Sequence, residues 1–387
     1  MKLGVNGWRI HGRRTGVGRY LLNVVKHWGA ELVSGRFEEI NFYSPREVDR
    51  NEIAVPENIR LRVLRPHWRM IVWENLRLGP AATDDVLFCP SYSRPLVSHG
   101  KTVVTTHEAT LKLHPKLYPL AGRLFYARLY AWSARQATLV ITHTEAARRD
   151  IARCYGVPLS RIRVVPLAPA EIFMPLGADP AVAAARERYL GSDFPFFLYV
   201  GKLTARRNLP KLLEAFARLK QTTSLPHKLV VIGLRSINLD IAGLAARLGI
   251  SPHVVHREYI PDEELNLLFN AAEAFVLPYT YEAVSLTALE AQATGTPVIT
   301  VDTPGLRETT GGRALFMAKA EVPDIAQAMA RLAGDPILRR ELAESGLQHA
   351  RRFTCPQSSA QTLAVLEEAA RLPHPEASPG LSEGSPL

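Results

Sequence analysis

The sequence predicts an α/β protein built from two Rossmann-like domains, and three observations lead there. The chain has 387 residues, 47% hydrophobic and 22% charged, which is more than one ordinary core accommodates. Short apolar, β-rich runs alternate with helix-like stretches from end to end. A proline-interrupted segment, Leu167–Asp193, divides them into two series. Continuous apolar strands bounded by helices mark parallel sheets covered on both faces.

In the first series the strands are expected at Leu3–Val5, Ile40–Tyr43, Val86–Cys89, Thr102–Thr106, Leu139–Thr142 and Ile162–Val165. Between the first two lies Gly12-Arg13-Arg14-Thr15-Gly16-Val17-Gly18-Arg19-Tyr20, which opens a helix. Gly16 and Gly18 let backbone amides approach an anion at the positive helix end. It is not the dinucleotide fingerprint, because Leu21 stands at the third glycine and the glycines begin well after the strand. Gly100-Lys101-Thr102 is no P-loop, since Pro95 occupies the place of its first glycine. His107 directly follows a strand, at the end that lines the ligand crevice in open α/β sheets.

In the second series strands are expected at Phe196–Val200, Leu229–Ile232, Ala274–Leu277 and Val298–Val301. The first leads into Gly201-Lys202-Leu203-Thr204-Ala205-Arg206-Arg207-Asn208 and a helix with Leu212, Leu213, Phe216 and Leu219 as its apolar stripe. Three cations at a helix N-terminus oppose the macrodipole unless a diphosphate fills the gap. The strongest pattern is Pro278-Tyr279-Thr280-Tyr281-Glu282-Ala283-Val284-Ser285-Leu286-Thr287-Ala288-Leu289-Glu290-Ala291. A helix starting near Ser285 or Leu286 puts Glu282 in the preceding loop and Glu290 in the first turns. Two carboxylates there accept from vicinal hydroxyls, while amides at Ser285, Leu286 and Thr287 remain for phosphate oxygens.

A last helix, 357–372, is expected to pack back on the first domain. The expected domains are residues 1–173 and 174–354, with a disordered tail at 373–387. Residues 1–173 hold 26 Lys/Arg against 14 Asp/Glu, and the remainder 21 against 23, so the whole basic excess lies in the first half. That half should face something anionic. The segment Leu120–Ala137 reads as a helix interleaving Arg123, Arg128 and Arg135 with aromatics; those aromatics are expected inside and the arginines outside. No leader-like or membrane-spanning apolar run is evident. Cys89, Cys154 and Cys355 lack metal-ligand spacing and read as reduced, partly buried thiols of a cytoplasmic protein, peripheral to the membrane at most.

Together these residues resemble the GT-B retaining glycosyltransferases of the large group 1 family (family 4). Glu282 and Glu290 match its E-x7-E motif, and Lys202 and Arg207 its basic pair after the first strand of the second domain. TGVGRYLLN at 15–23, WENLRLG at 73–79, TTHEATLKLHP at 105–115 and RIRVVPLAP at 161–169 extend the likeness over nearly the whole chain. The chain departs from the pattern at Ala283 and Ser285, where glycine is usual, and at Glu108, where aspartate is. The resemblance implies hexose transfer from GDP-mannose or a UDP-sugar, bound by the second domain (174–354), to a glycan or lipid-linked acceptor bound by the basic first domain (1–173). Lys202 and Arg207 would neutralise the diphosphate, Glu290 hold the ribose, Glu282 the sugar hydroxyls, and His107 the sugar near its reacting carbon. No Asp-x-Asp occurs, so no metal or other cofactor is expected. An epimerase or phosphorylase on the same fold is the competing enzyme reading. A basic nucleic-acid-binding protein is the non-enzymatic one, and it leaves the second-domain residues without purpose; no nucleic-acid partner is expected.

Overall fold

The computed structural model describes residues 1–11, 16–118, 120–191, 193–234 and 239–373. Of the glycine-rich loop, residues 12–15 lie outside that description, as does all of the expected tail beyond Pro373. The first sheet comprises β1 (Lys2–Asn6), β2 (Glu39–Ser44), β3 (Ile59–Val63), β4 (Val86–Cys89), β5 (Lys101–Thr105), β6 (Leu139–Thr142) and β7 (Ile162–Val164). The second comprises β8 (Phe196–Val200), β9 (Lys228–Ile232), β10 (Val254–Arg257), β11 (Ala274–Leu277), β12 (Val298–Val301) and β13 (Leu315–Met317). Their orders are β3-β2-β1-β4-β5-β6-β7 and β10-β9-β8-β11-β12-β13, and every pairing is parallel. Both follow the doubly wound plan that the apolar runs predict, with the order reversing beside the first strand.

Three strands escape the sequence pattern: β3, β10 and β13. All are sheet edges. An edge strand buries less of its length, so β3 reads Ile-Arg-Leu-Arg-Val and β10 Val-Val-His-Arg rather than as apolar runs.

Alternation along the strands of the first sheet feeds two cores. Leu3, Val5, Phe42, Phe88 and Ile141 face the Gly16–Val25 helix, while Leu87, Cys89, Val104 and Val140 face Ala131, Ile151 and Tyr155. The first of these cores is completed from the far end of the chain. The Cys355–Arg371 helix inserts Leu363 and Leu366 beside Leu21, Val24 and Trp28. Ser359 Oγ donates to Val24 O at 2.6 Å and Trp28 Nε1 to Ser359 O at 3.3 Å. The second domain packs Leu212, Leu213, Phe216 and Leu219 on β8, β9 and β11, as their spacing predicts.

The Leu120–Gln136 helix departs from expectation. Ala131 and Ala134 lie in the core, but Leu124, Phe125 and Tyr126 are exposed, so only its C-terminal half covers the sheet.

The two domains touch through their strand carboxyl ends. Thr144 caps the Glu145–Tyr155 helix by accepting from Ala147 N at 3.0 Å, and its hydroxyl donates to Ala283 O of the second domain at 2.9 Å. Glu308, also of the second domain, accepts from Glu145 N at 2.6 Å and Ala146 N at 3.1 Å. A carboxylate on those amides stabilises the positive end of the helix.

Candidate active site

Four strand ends converge on the cleft. β5 leads into Thr106-His107-Glu108 and β6 into His143-Thr144; β8 delivers Gly201 to Arg207, and β11 delivers Pro278 to Ser285. Ser285 caps the Leu286–Ala293 helix, accepting from Ala288 N at 3.3 Å, and its hydroxyl lies 3.1 Å from that of Thr287. The helix start is where the sequence puts it, with Glu282 in the loop and Glu290 inside the helix.

Glu282 is held by a residue that the sequence reading left without a role. Arg206 Nη1 donates at 2.7 Å to Glu282 Oε2 and at 2.7 Å to Glu108 Oε2. One guanidinium thus joins a carboxylate from each domain. Burial works against the charge on Arg206, but Glu282 and Glu108 outweigh it and raise its pKa. Its signal was present in the Arg206-Arg207-Asn208 cluster; its partner Glu108 gave none beyond following His107.

Arg207 is ordered by a second such contact. Its Nη1 donates to the Tyr279 hydroxyl at 2.7 Å, with the guanidinium carbon 4.8 Å from the ring centroid. The same hydroxyl donates to Val200 O at 3.1 Å. A Cβ at residue 201 would collide with both the guanidinium and the phenol oxygen, so Gly201 leaves room for this pair. Lys202, by contrast, is exposed and extends from the loop.

Glu290 is fully buried. Arg19 from the first-domain helix places Nη2 2.6 Å from Glu290 Oε1 and Nε 3.3 Å from Asp262 Oδ2. Gly16, at the start of that helix, is exposed, whereas Gly18 packs directly under the Arg9 carbonyl, where a Cβ would not fit. Leu286, beside Leu289, packs against the first-domain core and lines a small cavity together with Tyr20 and Asn23.

His107 lies at the carboxyl end of β5 with both nitrogens engaged. Nε2 is 3.1 Å from Pro90 O, and Nδ1 is 2.8 Å from His143 Nε2, whose Nδ1 is in turn 2.9 Å from Val165 O. Tyr20 and Tyr92 meet the pair edge-on. Burial pushes both rings toward the neutral form, His143 to about 4. To touch a ligand through nitrogen, His107 must release Pro90 or His143. His143 had no local signal in the sequence.

Residues 184–349 match the family described as glycosyl transferases group 1, and residues 14–168 match glycosyltransferase family 4. The chain belongs to the group 1 glycosyltransferases. As such it is an enzyme that transfers glycosyl groups. It is 25% identical over 369 residues to O-antigen chain mannosyltransferase B of Escherichia coli, covering 90% of this chain and 95% of that one. It is 35% identical over 243 residues to a D-inositol 3-phosphate glycosyltransferase of Corynebacterium jeikeium, covering 60% of this chain and 57% of that one. Among solved structures, Anabaena HepE in complex with UDP and glucose superimposes with a TM-score of 0.75 at 14% identity, over 95% of this glycosyltransferase and all of HepE. That likeness makes the fold GT-B. Among the described residues no helix is long and apolar enough to cross a membrane.

Proposed function

We propose that this glycosyltransferase moves a hexose, with retention of configuration and without a metal ion, from GDP-mannose or a UDP-sugar to a glycan or lipid-linked acceptor of the cell envelope. The observation that carries this reading is that the strand ends of both domains face each other, with Arg206 joining Glu282 to Glu108 and Arg19 reaching Glu290 across the cleft. Full-length similarity to an O-antigen mannosyltransferase supports the donor and acceptor classes.

In this reading the acceptor hydroxyl oxygen bonds to the anomeric carbon as that carbon's bond to the diphosphate breaks. The leaving phosphate oxygen takes the hydroxyl proton on the same face. Arg207, already buried and fixed by Tyr279, and Lys202, free to swing in, offset the charge that develops on the diphosphate. Glu282 receives sugar hydroxyls, Glu290 receives the ribose, and amides at Ser285, Leu286 and Thr287 face phosphate. Gly16 and Gly18 border the phosphates from the opposite domain, and His107 meets the sugar.

The acceptor surface is the basic first domain. Leu120, Leu124 and Phe125 are at least half exposed beside Arg128, an apolar and cationic combination suited to anionic lipid from the cytoplasmic side. Sedimentation with phosphatidylglycerol vesicles at low and high salt tests that contact; protein that stays in the supernatant at low salt refutes it. The reaction itself is tested by incubating the enzyme with GDP-mannose and UDP-hexoses and a glycan acceptor. Release of GDP or UDP with an α-linked product from an α-linked donor is expected, and an inverted product overturns the retaining assignment.

A further inference from the structure

Among the described residues, Arg19 is the first-domain side chain that binds the carboxylate assigned to the ribose. It arises from the first turn of the Gly16–Val25 helix, and its side chain is 14% exposed. Besides the 2.6 Å contact to Glu290 Oε1, its Nη1 lies 3.5 Å from Oε2, so the guanidinium spans both carboxylate oxygens. Asp262, at the start of the Asp262–Ala271 helix, takes Nε at 3.3 Å, and the Phe173 ring lies 5.2 Å beneath the guanidinium carbon. Three segments of the chain therefore fix one arginine on Glu290. Glu290 Oε1 and Arg19 Nη2 are buried and make no aligned hydrogen bond, although their charges meet. The carboxylate retains acceptor capacity that a hydroxyl donor could use.

We propose that Arg19 is a positioning residue for the donor: from the first domain it supplies the countercharge and the hold that Glu290 needs to receive the nucleotide's ribose. The inference rests on the assignment of the ribose to Glu290. Its consequence is that nucleotide recognition, though built in the second domain, depends on the first domain being in place.

The physical reason is the cost of an isolated buried carboxylate. Burial pushes Glu290 up to about 7; Arg19 pulls it down and Asp262 pushes it up. Among the described residues the Cys355 thiol, at the start of the C-terminal helix, also faces it; burial raises that thiol and Glu290 adds to the rise. Without Arg19 the carboxyl holds its proton to higher pH and loses acceptor strength toward two vicinal hydroxyls.

The test is calorimetric binding of GDP and UDP to the full chain between about pH 6 and pH 9. It compares wild type, Arg19→Gln, Arg19→Lys, Glu290→Gln and the Arg19→Gln/Glu290→Gln pair, with thermal melts confirming that each is folded. Arg19→Gln should weaken nucleotide binding about tenfold at pH 7 and move the pH midpoint of binding upward. Arg19→Lys, which keeps the charge, should restore much of both. In the Glu290→Gln background Arg19→Gln should add little, because the two act as one unit. Unchanged or tighter binding in Arg19→Gln, or an additive double variant, overturns the role of Arg19 while a weakened Glu290→Gln leaves the ribose assignment standing. Wild-type binding by Glu290→Gln defeats the ribose assignment, and this inference with it.

Discussion

The hydroxyl of Tyr279 accepts from Arg207 at 2.7 Å while donating to the carbonyl of Val200 at 3.1 Å. Arg207 is therefore tied to the end of β8, and in the proposed reaction it does not have to be ordered when charge develops on the diphosphate. Tyr279→Phe keeps the ring face and removes only this tie. It should lower kcat/KM about tenfold, chiefly in kcat, whereas Arg207→Ala should lower it by about 10²-fold or more. Steady-state kinetics with an accepted nucleotide sugar decides, and near-native turnover in Arg207→Ala removes Arg207 from the mechanism.

Arg206 stands between Glu108 and Glu282, so its loss leaves two carboxylates facing each other across the cleft. Arg206→Ala should destabilise the protein by about 3–5 kcal/mol, as removing one partner of a buried ion pair does. Glu108→Gln in the same background should recover part of the loss by removing one of the stranded charges. Denaturant melts of the two variants measure this, and a surface-like loss of under about 1 kcal/mol would show that the bridge is solvated.

Glu74 predicts a pH effect of definite sign. It is fully buried, accepting from Asn6 Nδ2 at 2.9 Å and Ser93 Oγ at 2.8 Å, and burial pushes its pKa up to about 7 against the pull of these bonds. The folded protein thus keeps a proton that the unfolded chain releases from about 4.5 upward. The stabilising contribution is complete below about 4.5 and is lost as pH rises through about 7. Glu74→Gln cannot ionise, so its Tm should gain on wild type between pH 5 and pH 8. A gap that stays constant over that range would contradict the assignment.

Activity should persist in excess EDTA. The chain contains no Asp-x-Asp, and the proposed reaction assigns the neutralisation of the diphosphate to Arg207 and Lys202. Loss of turnover on chelation, restored by Mn²⁺ or Mg²⁺, would overturn the metal-independent reading.

The C-terminal helix should be indispensable to the first domain. Leu363 is wholly buried among Leu21, Val24 and Trp28, so Leu363→Ala should cost about 2–5 kcal/mol. Chemical unfolding monitored by tryptophan fluorescence checks it; a loss below about 1 kcal/mol would mean that the helix only rests on the surface.

The central strands, the Leu209–Thr222 stripe and the start of the Leu286–Ala293 helix were legible in the sequence, because each is written within a few consecutive residues. A buried parallel strand needs an unbroken apolar run, and a helix that follows a strand must show its period and cap locally. The same locality brought Glu282, Glu290 and Arg207 to notice. The edge strands β3 and β10 were not legible, since charged residues interrupt them, nor was β13, whose three residues are too short a run to stand out. Nor were the contacts that give the cleft its electrostatics. Arg19 meets Glu290 across 271 positions, Arg206 meets Glu108 across 98, and His107 meets His143 across 36. Such pairs repeat with no period and obey no local propensity. The first two exist because two separately folded sheets present their carboxyl ends to each other, the third because β5 and β6 lie side by side in one sheet, and only the tertiary structure decides which groups then fall within reach.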